Sequence, residues 1–313
     1  MRFLVVGAGA LGGYFGGRLL QAGRDVTFLV RPARAELLRE HGLRIKSVKG
    51  DAHIANPPTV SAQDLDSAFD VIIVGCKAYD LDSAMDAIAP AVGPGTAILP
   101  LLNGMRHLDR LAERFGREHV LGGLCLISAA LDADGTVRHY NDRHTLAYGE
   151  LDGSMSERVR RIEAQCSGAN FEARASAQIL QEMWEKWVFI AAAAGTNCLM
   201  RAAIGDIVQA GGTGLTLSLI DECAAVARAN GHDPRPEALE SPRKLLTSPT
   251  STVTASMLKD VERGAPTEAD HVFGDLLQRA GTALPDHALL RLAYLNLKSY
   301  EARRQREAAA KSR

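Results

Sequence analysis

Apolar and polar positions alternate in two different ways along this chain, and the change falls near its middle. Up to about Gly168, short apolar runs alternate with helical stretches. Phe3–Val6 is an apolar run, followed by a glycine-rich turn and a helical pattern to about Ala22, which Gly23 stops. Val26–Val30 is a second β-rich run, and Leu43–Val48 and Ala52–Ala55 flank Lys49-Gly50-Asp51 as in a hairpin. Val71-Ile72-Ile73-Val74 has no polar position, the texture of a strand buried on both faces of a parallel sheet. A helix through Ala84–Ile88 and a strand at Thr96–Leu102 come next. Leu121–Ala130, Thr136–Tyr140 and Thr145–Tyr148 read as further strands, with Asp134-Gly135 as a turn. Strands alternating with helices predict a doubly wound α/β sheet.

Beyond Gly168 the strand signals nearly vanish. Ala175–Met200 reads as a long helix with alanines through its middle, and Leu215–Asn230, Ser256–Glu262, His271–Ala280 and Ala288–Arg306 are helical in pattern. Pro234, Pro236, Pro242 and Pro249 interrupt these helices. The expected organisation is an α/β domain over residues 1–170 followed by an all-α domain over 171–313, with the boundary near 168–175. The basic tail Arg303–Arg313 reads as a solvated helix end.

Composition narrows the function. A chain of 313 residues is long enough for two domains of about 150 residues each. Lys and Arg number 36 against 37 Asp and Glu, a net charge of −1, which argues against nucleic acid as the partner. Apolar residues at 46% and charged residues at 23% exclude wholesale disorder. No membrane span is expected: Pro90, Pro94 and Pro100 break the uncharged run Ala87–Met105, and Trp187–Met200 is too short. The start runs straight into a strand pattern, so no signal peptide is expected. Cys76, Cys125, Cys166, Cys198 and Cys223 form no CxxC pair and no disulfide framework. The expectation is a reduced, cytoplasmic, metal-free protein with a small-molecule partner. Apolar helices such as Leu215–Ala229 and Ala288–Leu297 leave a homo-oligomer open.

Gly7-Ala8-Gly9-Ala10-Leu11-Gly12 is a G-x-G-x-x-G lying directly between a strand and a helix, at the start of a βαβ unit. That context marks a Rossmann-like dinucleotide site. Gly7 permits the tight turn, Gly9 lets the backbone approach a pyrophosphate, and Gly12 lets the helix close on the strand. The pyrophosphate would meet the helix N-terminus. At the end of the second strand an NAD enzyme usually carries an acid for the ribose hydroxyls. Here the chain reads Val30-Arg31-Pro32-Ala33-Arg34. A guanidinium fits a 2′-phosphate, so NADP is favoured, with Arg31 the leading contact and Arg34 open between cofactor and surface.

Reduction with this cofactor needs a proton donor. Lys186 is a charge within the apolar helix Met183-Trp184-Glu185-Lys186-Trp187-Val188-Phe189-Ile190. It suits stabilising and protonating an oxyanion; an i,i+4 surface pair with Glu182 is equally compatible with the sequence. Lys77 and Asn103 each follow an apolar strand, where ligands bind in open α/β sheets. A solvated lysine and an Asn-Gly turn are the alternatives.

These features together resemble the ketopantoate reductases over nearly the full chain. The resemblance rests on Gly7–Gly12, Arg31, Cys76-Lys77-Ala78, Leu102-Asn103-Gly104-Met105, Trp184-Glu185-Lys186, Ser256-Met257-Leu258-Lys259-Asp260 and Thr267-Glu268. It implies an NADPH-binding first domain, a helical second domain, and reduction of the 2-keto group of ketopantoate to pantoate for coenzyme A synthesis. It also implies that Lys186 is the catalytic lysine, that Asn103 lies near nicotinamide and substrate, and that Lys77 lies at the active-site edge. Ser256 and Glu268 would hold the substrate or assist the lysine. Without the resemblance, Ser256 reads as a helix cap and Glu268 as a surface carboxylate. One departure stands out. The family commonly carries asparagines four and eight residues after the lysine, and here Ile190 and Ala194 stand there. Asn197, the nearest amide, is roughly 60° off that face. The expectation is therefore a 2-keto acid reductase whose substrate has a more apolar side chain. Other two-domain hydroxyacid or opine dehydrogenases, and a non-catalytic NADP-binding sensor, are the competing readings.

Overall fold

Strands without polar positions need cover on both faces, and the first part of the chain supplies it. β1 (Arg2–Val6) is buried from Phe3 onward. α1 (Ala10–Gln21) returns the chain to β2 (Asp25–Leu29), and α2 (Pro32–His41) follows. β3 (Leu43–Ser47) and β4 (Ala52–Ile54) form the expected hairpin, with Leu43 opposite Ile54. β5 (Thr59–Val60), β6 (Val71–Val74), α3 (Leu81–Ile88) and β7 (Ala97–Pro100) complete a parallel sheet ordered β5-β2-β1-β6-β7. Phe3 pairs with Val26 on one side and Val71 on the other. Strand order reverses at β1, which opens a crevice at the carboxyl ends of β1 and β6. The structure, a computed structural model, describes residues 1–311.

The later strands do not join that sheet. After α4 (Arg106–Phe115), β8 (Leu121–Leu131) and β9 (Val137–Glu150) pair antiparallel. With β3, β4 and β10 (Glu172–Ala175) they make a second, mixed sheet ordered β10-β9-β3-β4, β8 lying on β9. Thr136–Tyr140 and Thr145–Tyr148, expected as two strands, are one, because β8 pairs along both and a register shift at Ile127/Ala129 absorbs the polar stretch between them. α5 (Glu157–Cys166) is capped by Ser156, which accepts the Val159 N–H at 3.3 Å. α1 packs on both sheets through its glycines. A Cβ on Gly16 would sit 2.7 Å from the Phe28 ring, and one on Gly17 would sit 2.7 Å from Ile45 Cδ1.

The remaining elements are helices: α6 (Ile179–Met200), α7 (Ile204–Gln209), α8 (Thr213–Ala229), α9 (Pro236–Leu246), α10 (Ser256–Glu262), α11 (Asp275–Ala280) and α12 (Leu289–Lys311). The proline-rich stretch is not merely an interruption. Pro236 opens α9, where its missing N–H costs nothing. The segment expected as a helix from His271 begins as a π-helical turn, Asp270–Gly274. The long helix starts at Ile179 rather than Ala175, since Glu172–Ala175 are drawn into the sheet by parallel pairing with β9. Two compact units result. Met1–Leu102 with His107–Leu180 form the first, and Asn103–Arg106 with Gln181 onward form the second. The division thus follows Leu180 rather than residue 170. Ser312 and Arg313 of the basic tail lie outside the described residues. No helix among the described residues is long and apolar enough to cross a membrane.

Candidate active site

The glycine turn is built by close approach. Gly7 adopts φ +85°, open to glycine at little cost, and its N–H bonds Leu29 O at 2.9 Å. A Cβ on Gly12 would fall 2.1 Å from Gly7 O, so the first turn of α1 can close on the glycine turn only with a glycine at this position. Gly75, just past β6, packs against the same turn: its Cβ would lie 3.1 Å from Gly12 N. Gly9, the residue capping α1, has nothing within 4 Å of its Cβ position. The first turn of α1 has no acid and no side-chain cap. The first intrahelical acceptor, Gly9 O, is taken by Gly13 at 2.8 Å. That leaves the N–H groups of Ala10, Leu11 and Gly12 at the helix start without intrahelical acceptors. An uncrowded helix N-terminus with no competing carboxylate fits the pyrophosphate of a dinucleotide. Ala8 is itself buried, so it shapes the turn from beneath.

Two basic side chains follow β2, and the structure separates them. Arg31 heads α2, and its Nη2 donates to Asp80 Oδ1 at 2.7 Å; the side chain is 74% exposed. The hydrogen bond that Arg31 donates to Asp80 raises the Arg31 pKa above its ordinary value. Arg34 instead turns inward. Its Nε donates to Ala8 O at 3.0 Å and its Nη1 to Gly135 O at 3.0 Å, while burial pulls its pKa down. Arg34 therefore braces the glycine turn against the β8–β9 turn, and the open alternative resolves toward structure. Lys77 precedes the 3-10 turn Ala78–Asp80 beyond β6. Gly7–Gly12, Arg31 and Lys77 thus share the carboxyl edge of three adjacent strands, β2-β1-β6.

Asn103, Lys186, Ser256 and Glu268 all fall in the second unit. α6 carries Lys186 at a half-buried position. Its neighbours are fixed. Trp187, fully buried, donates Nε1–H to Val272 O at 3.0 Å, and Trp184 stacks on His232 with ring centroids 5.5 Å apart. Burial works against the charge of Glu185. Arg235 outweighs it, donating from Nε at 2.7 Å, Nη2 at 2.6 Å and the backbone N–H at 3.1 Å, and holds the carboxyl below the usual range.

The π-helical turn joins these parts. His271 and Val272 donate their N–H groups to Glu268 O at 3.1 and 2.9 Å. Val272 O receives Trp187, next to Lys186. The buried His271 ring bonds the Asn103 backbone, and Gly104, at φ +79°, passes so close that a Cβ would lie 3.2 Å from His271 O. Desolvation lowers the His271 pKa. One irregular turn, Asp270–Gly274, therefore ties the Asn103 segment, the Lys186 helix and the Glu268 turn into one cluster; irregular helical turns of this kind recur at functional sites. Ser256 is different. Ala255, not Ser256, caps α10, and Ser256 is exposed as the first helical residue. Its helix is tied to α6 by Asn197, whose Oδ1 accepts the Ala255 N–H at 2.9 Å and whose Nδ2 donates to Ala202 O at 2.7 Å. Asn197 is wholly buried and spent on the fold. Sequence reasoning missed His271, Arg235 and Asp80, since each acts through a partner far along the chain.

The model of the family described as ketopantoate reductase PanE/ApbA matches residues 3–153, and that of its C-terminal part matches residues 178–301. An uncharacterized oxidoreductase YkpB of Bacillus subtilis is 40% identical over 96% of this chain and 99% of its own length. A 2-dehydropantoate 2-reductase of Mesorhizobium japonicum is 28% identical over 86% of this chain and 88% of its own. Among solved structures, 2-dehydropantoate 2-reductase from Geobacter metallireducens superposes with a TM-score of 0.87 at 25% identity, covering 96% of this chain and 99% of that one. A D-mandelate dehydrogenase solved with NADH shares the fold, with a TM-score of 0.86 at 20% identity, over 97% of this chain and 100% of that one.

Proposed function

The chain belongs to the ketopantoate reductase PanE/ApbA family and is an oxidoreductase of that type, and from this premise we propose that it reduces a 2-keto acid with an apolar side chain to the 2-hydroxy acid, using NADPH in preference to NADH. The observation that carries the substrate reading is the half-buried face of α6. Among residues Met183 to Cys198, Lys186, Phe189 and Ile190 are the half-buried positions in a helix otherwise buried. At i, i+3 and i+4 they share one face, so the lysine looks out beside two apolar side chains. Ala194, one turn on, adds no polar group.

When bound, the nicotinamide supplies the hydride. Gly7, Gly9 and Gly12, with the N–H groups that open α1, hold the pyrophosphate, and Lys77 lies along the same edge. Arg31 receives the 2′-phosphate with its remaining donors. Lys186 stabilises charge developing on the keto oxygen and delivers the proton that completes the alcohol. The Asn103 amide donates to the same substrate, Ser256 holds it, and Glu268 assists the lysine. A hydroxylated substrate side chain would leave its hydroxyl unpaired against Phe189 and Ile190, which disfavours such substrates.

The test is NADPH oxidation with the purified protein against a panel of 2-keto acids. A branched aliphatic or aromatic 2-keto acid is expected to exceed ketopantoate in kcat/KM. Ketopantoate far above every other compound would overturn the apolar-pocket reading, and no oxidation with any compound would overturn the reductase reading.

A further inference from the structure

Arg31 does not stand alone at the cofactor edge. Arg31 follows β2 and Asp80 follows β6, the two strands that flank β1. Their 2.7 Å ion pair therefore joins the segments that follow the two strands flanking β1, whose own end carries the glycine turn. Asp80 precedes α3 without a side-chain cap bond, and its backbone makes local contacts, N–H to Lys77 O at 2.9 Å and O from Ser83 Oγ at 2.9 Å. An exposed ion pair of this kind contributes little to stability. Arg31 is 74% exposed and Asp80 32% exposed, so both reach solvent.

We propose that Asp80 is a cofactor-discriminating residue that works against Arg31, narrowing the chain's preference for a 2′-phosphate over a 2′-hydroxyl. The inference rests on the glycine turn being the dinucleotide site proposed above. A guanidinium has five N–H donors, and the bond to Asp80 engages Nη2, leaving others for a phosphate. A carboxylate offers acceptors that suit ribose hydroxyls and repels a phosphate dianion. The pair thus presents both chemistries at one point, and selectivity is the difference between them. Arg31 by itself would give a steeply phosphate-selective site; with Asp80 beside it, both adenosine forms retain binding.

Binding of two fragments tests this without turnover. The dissociation constants of 2′,5′-ADP and 5′-AMP are measured by calorimetry on wild type, Asp80→Asn and Asp80→Ser. Both variants are expected to fold with an unchanged Tm, since no cap bond is lost. The ratio of the 5′-AMP to the 2′,5′-ADP constant is expected to rise about threefold or more in both variants, and that rise to shrink in high salt as screening predicts. A ratio that moves by less than about threefold, or falls, overturns the role of Asp80. If wild type binds neither fragment nor NADPH, it is the cofactor-site reading itself that fails.

Discussion

At the scale of single residues, Lys186 carries the sharpest expectation. Its two alternatives differ in kind. Loss of a proton donor that also stabilises an oxyanion lowers kcat by about 10²- to 10⁴-fold. Loss of an exposed i,i+4 pair costs about 0.3–0.5 kcal/mol of stability and leaves kcat alone. Lys186→Ala is expected to keep the NADPH Kd of wild type, because the glycine turn and Arg31 belong to the first unit, and to turn over slowly at saturating keto acid. The measurement is kcat together with NADPH Kd and Tm; near-normal kcat would remove Lys186 from the chemistry. His271 acts at the same scale through Asn103. His271→Phe, which keeps the ring volume but removes the donor to the Asn103 backbone, is expected to lower kcat/KM while NADPH Kd holds. An unchanged kcat/KM would make the contact purely structural.

Among elements, α6 organises the second unit. Its tryptophans face inward and its Glu185 is locked to Arg235 at the entry to α9. Glu185→Gln is expected to lower stability by about 2 kcal/mol, the worth of a charge-assisted hydrogen bond rather than of a fully buried pair, because Arg235 remains 39% exposed. The pH dependence follows from the depressed pKa. The contribution is present above the unfolded glutamate value and is lost as pH falls toward the lower folded value. Thermal melts should therefore show wild type and variant far apart near neutrality and converging in acid. A gap that is constant with pH would assign the loss to packing.

For the whole molecule, thiol chemistry reads how the two units protect their interiors. All five cysteines are thiols. Cys125, Cys166, Cys198 and Cys223 are buried, and burial pushes the Cys166 and Cys198 thiols up to about 12. Cys76 is half-exposed at the end of β6. Titration with an aromatic disulfide at neutral pH is expected to count one fast thiol in the native protein and five after unfolding. The fast thiol should vanish in Cys76→Ser. Several fast thiols in the native state would show that one of the units opens readily.

Much of the architecture was determined by the chain itself. Val71–Val74 had to be an inner parallel strand, since four successive apolar side chains need cover on both faces. Gly7–Gly12 between a strand and a helix had to be a tight turn, because its spacing is local and its glycines permit what no other residue does. The alanine-rich run through α6 had to be a buried helix for the same reason of short-range pattern. Tertiary structure decided what depends on distant partners. Glu172–Ala175 reads as the start of a helix and becomes a strand because β9 offers it a ladder. Arg34 reads as open between cofactor and surface, and Ala8 O and Gly135 O draw it inward, while Arg31 stays exposed and pairs with Asp80. Asn197 reads as a stray amide near the substrate face and is consumed by Ala202, Val253 and Ala255. Periodicity reports which side of an element is buried; it carries no information on which far residue waits there. For that reason the elements were legible in the sequence, and the pairings around Arg31, the Asn103 backbone and Trp187 were settled only when the chain closed on itself.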